Sequence, residues 1–221
     1  MNNMDLQDTV YLQYGCGLNA PSSWVNFDSS PNLRLERLPI VGKLYAGTKM
    51  IGDKPTKQRF PSNIKCGDIV KGLPVQDETC QGIFASHVLE HLPLSDFELA
   101  LENTFSLLKT GGTFRFIVPD LKEIALDYVN STSPNASIIF MKETLLGQLH
   151  SKRNFKSLIY SWFGNNQHLW MWDYSSLELY LNRVGFREIR QAYFNDSEDS
   201  RFKEVEEKER FIKSICIQSK K

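Results

Sequence analysis

Four groups of residues in this sequence have types and spacings suited to chemistry. Gly15-Cys16-Gly17 follows an apolar run, Thr9 to Tyr14, so a ligand could touch bare backbone there. Asp28 and Asp68 each close a short β-prone segment, where a carboxylate can accept hydrogen bonds from ligand hydroxyl or amino groups. His87-Val88-Leu89-Glu90-His91 has the H-x-x-E-H spacing of an inverted zinc-protease signature. Finally, Gln167 to Tyr174 packs His168, Trp170, Trp172, Asp173 and Tyr174 into one short string.

Strand and helix signals alternate around these groups, which predicts βαβ units and a mostly parallel sheet. Strands are expected at 9–14, 24–28, 63–69, 82–86, 113–118, 186–194 and 213–218. Ser95 with Glu98 predicts a capping box for a helix bearing Phe97, Leu101, Phe105 and Leu108 inward, stopped by Gly111-Gly112. Ser175 with Glu178 predicts another, with Leu177, Leu181 and Val184 inward, stopped by Gly185. Residues 29–62 read as a short helix and irregular loop. The charged stretch from Asn195 to Arg210 reads as a solvated turn or helix face. Residues 131–172 read as an insertion over one edge of the sheet, either a lid walling an acceptor pocket or a homodimer contact. The chain is expected to be one domain over 1–221.

Composition excludes several function classes. Lys plus Arg equals Asp plus Glu at 26 each, so no global field recruits nucleic acid or an anionic membrane. No apolar run approaches the roughly 20 residues that span a bilayer. MNNMDLQDTV has neither a basic leader nor an apolar core, so no signal peptide is expected. Cys16, Cys66, Cys80 and Cys216 show no Cys-x-x-Cys spacing, which fits free thiols in a reducing cytoplasm.

In an open α/β sheet the strand ends bearing Gly15 to Gly17, Asp28 and Asp68 fall along one rim, where nucleotide-like cofactors dock. Several strings recur in the order Gly-Cys-Gly, Gly-Asp-Ile (67–69), Ser-His-Val-Leu-Glu-His-Leu (86–92), Leu-Leu-Lys-Thr-Gly-Gly (107–112) and Val-Gly-Phe (184–186). On these strings the chain resembles class I S-adenosylmethionine-dependent methyltransferases, and more narrowly a small bacterial group often encoded among polysaccharide-biosynthesis genes. The resemblance implies a Rossmann-like three-layer sandwich, seven-stranded, with the last two strands as an antiparallel pair. It implies that Gly15 and Gly17, with Cys16 and Gln13, approach the methionine part of the cofactor. Asp28 would take the ribose, and Asp68 with Ile69 the adenine. Ser86 and His87 would line the floor beside the sulfonium.

Two departures stand out. Gln13 occupies a position where many members carry an acid, and Asn19 one where they carry a third glycine. Only ten residues separate Gly17 from Asp28, about half the spacing of dinucleotide folds, so the first helix is expected to be short or missing.

The expected activity is O-methylation of a small-molecule or glycan-like acceptor, with His87 or His168 taking its proton and Trp170, Trp172 and Tyr174 walling the pocket. A cofactor-binding scaffold without catalysis is the alternative. A dehydrogenase is disfavoured because no G-x-G-x-x-G is present. No metal is expected: His87 and His91 would need a third ligand and a helix around them, and Pro93 follows too soon. Glu90 and His91 read as braces of a turn.

Overall fold

The computed structural model describes residues 10–39, 50–51, 54–55, 59–147 and 167–221. Its strands are β1 (Val10–Tyr14), β2 (Val25–Asp28), β3 (Met50–Ile51), β4 (Lys54–Pro55), β5 (Ile64–Cys66), β6 (Cys80–Ser86), β7 (Leu108–Pro119), β8 (Arg187–Ala192) and β9 (Ser214–Lys220). The helices are α1 (Pro31–Arg37), α2 (Leu94–Leu107), α3 (Leu121–Asn130), α4 (Ala136–Glu143) and α5 (Tyr174–Val184). Seven strands form one sheet in the order β5-β2-β1-β6-β7-β9-β8, while β3 and β4 pair separately. β1, β2, β5, β6 and β7 run parallel; β9 is antiparallel to both β7 and β8. This is the expected Rossmann-like, mostly parallel sheet, with the last two strands as an antiparallel pair.

Alternation along the strands divides the sheet into two apolar faces. Leu12, Tyr14, Ile83, Phe114, Phe116 and Ile217 meet Phe97 and Leu101 of α2 and Leu177 and Leu181 of α5 in the larger core. Tyr11, Phe84, Ile117 and Cys216 point the other way, against Trp24, Phe202 and Val205. No helix lies between β1 and β2, as the short spacing to Asp28 predicts. Among the described residues, the connection from β8 to β9 covers this second face instead.

That connection keeps most of the charged side chains of 195–210 exposed, as expected of a solvated turn, but it also buries a few residues against the sheet. Phe202 is fully buried, Val205 and Glu206 nearly so. The buried Arg115 side chain of β7 anchors the segment: its guanidinium donates to Glu206, to Gln218 Oε1 and to the Tyr193 carbonyl, and lies 2.8 Å from Asp196. Of the charges in this segment, Glu206 and Asp196 are paired with the buried Arg115.

Local signals also shift. β5 ends at Cys66, and Asp68 caps a 3-10 turn (Ile69–Lys71) by accepting from Val70 N, so it lies beyond the strand. α2 begins at Leu94 without a side-chain cap, because Ser95 already sits in its first turn. α2 ends at Leu107, and Gly111 and Gly112 fall within β7. The box that opens α5 is Asp173 with Ser176, not Ser175 with Glu178. Gly185 does stop that helix, at φ 118°. Of the insertion, α4 and its flanks are described; residues 148–166 lie outside the described residues, as do most of 40–58.

Candidate active site

The carboxyl ends of β1, β2 and β6 meet at one rim because these strands are adjacent and parallel. Gly15 and Gly17 both adopt positive φ, +65° and +56°, which glycine reaches without the Cβ penalty. Their roles differ. A Cβ on Gly15 would lie 2.1 Å from Val88 Cγ2, so the absence of a side chain lets the loop pack on the turn after β6. A Cβ on Gly17 would meet nothing within 4 Å, so no neighbour is packed on the loop at this point.

Two side chains hold this loop. Asp28 accepts from Gly17 N at 3.0 Å and from Ser30 N at 2.8 Å, tying the ends of β1 and β2 together. Buried Gln13 donates through Nε2 to the Asn19 carbonyl at 2.7 Å and to Asn26 Oδ1 at 2.6 Å. An acid at position 13 could not donate in this way, so glutamine suits a loop that presents carbonyl oxygens to it. Cys16 turns inward onto Leu33 and Ile64, and burial, with Asp28 adding to it, pushes its thiol up to about 12. It contributes backbone, not a nucleophile.

Gln13, Gly15, Cys16, Phe84 and Ser86 line a small crevice of about 30 Å³. Val205, Glu207 and Arg210, from the β8–β9 connection, form its opposite wall. Ser86 Oγ is buried without a hydrogen-bond partner, a polar atom that a ligand would satisfy. This unpartnered hydroxyl fits a cofactor running along the rim. The crevice is well below the roughly 300 Å³ of a typical small-molecule site, and the 205–210 segment narrows it.

Ile69 does not offer an open surface: it is 4% exposed and packed in the larger core. Asp68 remains partly accessible, 3.7 Å from Lys71 Nζ.

His87 follows Ser86 at φ +53°, a left-handed conformation uncommon for non-glycine residues and concentrated at functional sites. Its Nε2 donates to the Arg210 carbonyl at 3.0 Å, and its Nδ1 lies 3.2 Å from the buried carboxylate of Glu90. The H-x-x-E-H string lies in a 3-10 turn (Leu89–His91), not an α-helix, so His87 and His91 do not share a helical face.

His168 is brought to this turn by two hydrogen bonds, Leu169 N and Trp170 N both donating to the Glu90 carbonyl. It is 7% exposed, and its ring packs edge-on to His91 at 5.0 Å. Burial holds its pKa below the ordinary histidine value; Glu90 opposes that shift, and His91 and His87 reinforce it. Trp172 is buried against Phe97, ring centroids 4.0 Å apart, and against Tyr180, so it builds the core rather than a pocket wall. Trp170 is 41% exposed. Tyr174 is half-buried, with its hydroxyl on Glu178. Sequence reasoning missed Glu207 and Arg210, because nothing local in a charged stretch shows that it folds across the sheet.

A family model described as a methyltransferase domain matches residues 12–191. A SAM-dependent methyltransferase from Archaeoglobus fulgidus is 15% identical, with a TM-score of 0.51 over 96% of this chain and 86% of that one. A possible histamine N-methyltransferase from Thermotoga maritima is 15% identical, at TM-score 0.46 over 96% and 82% of the two chains. Phosphoethanolamine N-methyltransferase 2 from Haemonchus contortus is 10% identical, at 0.48 over 96% and 48%. At such identities the likeness is one of fold. No curated protein matches the chain. With the family match spanning most of its length and the rim built as described, the chain belongs to the methyltransferase-domain family and is a class I S-adenosylmethionine-dependent methyltransferase.

Proposed function

We propose that this enzyme methylates an oxygen of a small-molecule or glycan-like acceptor, with His87 as the proton acceptor. Bound S-adenosylmethionine supplies an electrophilic methyl group, and a hydroxyl that receives it must give up a proton. The single observation that carries the reading is the placement of His87. Its ring stands at the edge of the crevice, one nitrogen toward the rim and the other toward a buried carboxylate. With the Arg210 carbonyl moved away and the ring proton held on Nδ1 toward Glu90, the Nε2 lone pair is free to take a proton. This is the orienting logic of carboxylate–histidine pairs in acyl transfer.

Gln13 and Asp28 shape the loop, and Gly17, Ser86 and Asp68 are assigned to the cofactor directly. Gly15 and Cys16 contribute backbone, and Ile69 packs beneath. We assign Trp170 and Tyr174 to the acceptor side of a single domain. His168 is enclosed, and we assign it a positioning role. The glycan-like acceptor rests on the family resemblance alone. Among the described residues no helix is long and apolar enough to cross a membrane.

The test is release of S-adenosylhomocysteine with a panel of sugar and hydroxyl acceptors, for wild type and His87→Gln. The variant should lose at least tenfold in turnover while keeping cofactor affinity. Unchanged turnover would remove His87 from the mechanism. Cofactor binding with no turnover on any acceptor would favour a binding protein instead.

A further inference from the structure

We propose that Glu90, His91 and His168 form a binding site for a divalent transition metal of the zinc class. One ligand atom from each of the three lies within 4.8 Å of the others. Zinc–nitrogen bonds of about 2.0 Å in a tetrahedron place ligand atoms about 3.4 Å apart, so side-chain rotation of roughly an ångström closes the set. Two histidines and a glutamate are a recognised three-ligand zinc set, which leaves a fourth position for water or another oxygen.

The orphaned atoms converge on this cluster. Glu90 has no side-chain exposure; its Oε1 lies 3.2 Å from His87 Nδ1, and its Oε2 has no hydrogen-bond partner among the described residues. His168 Nδ1 is likewise buried and unpartnered. Native proteins rarely leave such atoms unsatisfied, and an unplaced ion is one standard explanation. The fourth titratable neighbour, His87, takes Glu90 Oε1, so Oε2 remains for a metal.

Ring orientation supports the assignment. His91 Nδ1 lies 3.1 Å from the Gln167 carbonyl, which can only accept, so this nitrogen carries the proton and Nε2 keeps its lone pair. Metal-ligating histidines typically donate the other N–H to a backbone carbonyl in this way. These ligands are not the pair that the H-x-x-E-H spacing suggests. His91 and Glu90 come from that string, but the third ligand arrives from the 167–172 segment. The metal would clamp that segment, which carries Trp170, to the turn after β6. The assignment does not depend on the acceptor proposed above.

The experiment is titration of untagged, chelator-stripped protein with Zn(II) by calorimetry, and with Co(II) by visible absorption. Wild type should bind one ion per chain with micromolar or tighter affinity, give a low-symmetry cobalt d–d spectrum, and melt at a higher temperature with zinc. His168→Gln and His91→Gln should each weaken zinc at least tenfold, whereas His87→Gln should not. Retained affinity for S-adenosylhomocysteine identifies a variant as folded. If His168→Gln does not fold, the half-exposed His91→Gln decides. No saturable binding, binding that survives in both variants, or binding lost only in His87→Gln would overturn the site. None of these readouts depends on methyl transfer.

Discussion

Arg115 and Glu206, 91 positions apart, meet with no solvent on either side chain. Through this pair the centre of β7 holds the β8–β9 connection against the face that lacks a helix. Removing one partner of a buried ion pair leaves the other charge uncompensated, at a cost of about 3–5 kcal/mol. Arg115→Met should therefore destabilise strongly. The double variant Arg115→Met, Glu206→Leu should recover much of the loss, because a well-packed apolar pair is often close to neutral. Denaturant unfolding of the four proteins in a double-mutant cycle measures this. Additive losses would mean that the pair does not act as a unit.

The two glycines of the rim should respond differently to alanine. Gly15→Ala places a methyl carbon 2.1 Å from Val88 Cγ2 at a positive φ. Overpacking of this kind costs about 1–3 kcal/mol, so the melting temperature should drop by several degrees. Gly17→Ala meets open space and carries only the left-handed penalty of about 1–2 kcal/mol. Its larger effect should fall on cofactor affinity, read by titration with S-adenosylhomocysteine. Equal effects on both quantities in both variants would contradict this division.

Asp28 joins Gly17 to Ser30 through two charge-assisted hydrogen bonds. Such bonds contribute about 1.5–3 kcal/mol each, so Asp28→Ala should weaken S-adenosylhomocysteine binding at least tenfold and lower stability as well. Gln13→Ala, which removes the brace on Asn19, should weaken binding in the same direction by a smaller factor. An Asp28→Ala variant with unchanged affinity would separate this carboxylate from the cofactor.

Glu207 and Asn19 close the crevice, Asn19 Nδ2 reaching Glu207 Oε1 at 3.2 Å and the Val205 carbonyl at 3.3 Å. Asn19→Ala loosens this contact, so cofactor association measured by stopped flow should speed up by a few fold. A rate independent of Asn19 would mean that the wall opens elsewhere.

Asp173 caps α5, and the Ser176 hydroxyl and backbone hold its carboxyl below the usual 3.8. A depressed carboxylate contributes stability that is present above about pH 4 and lost as pH falls through the folded-state value. Asp173→Ala should cost about 0.5–2 kcal/mol near neutrality. The gap between wild type and variant should shrink below pH 4, as melting curves across pH would show. A gap constant with pH would mean that the carboxylate charge contributes nothing to the cap.

Much of the rim was legible in the residues themselves. An apolar run ending in Gly-Cys-Gly, the segment closing on Asp28, and the Ser86 that ends β6 placed those strand ends correctly, while Asp68 lies two residues beyond its strand. Local pattern suffices there because strand alternation and strand-end glycines depend on near neighbours. The ten-residue gap to Asp28 likewise foretold the missing helix, since a helix with its two turns does not fit.

What covers the face left bare was decided only by tertiary structure. The stretch from Asn195 to Arg210 carries enough charge to read as hydrated, yet Phe202, Val205 and Glu206 are buried, Glu206 against Arg115 of a distant strand. Trp172 and Trp170 look equivalent in the sequence, yet one fills the core against Phe97 and the other faces outward. The association of His168 with Glu90 and His91 is also long-range, made by backbone hydrogen bonds that no spacing encodes. Periodicity and turn chemistry are properties of a few successive residues; charge pairing and the choice between core and surface are settled by which elements the sheet order brings together.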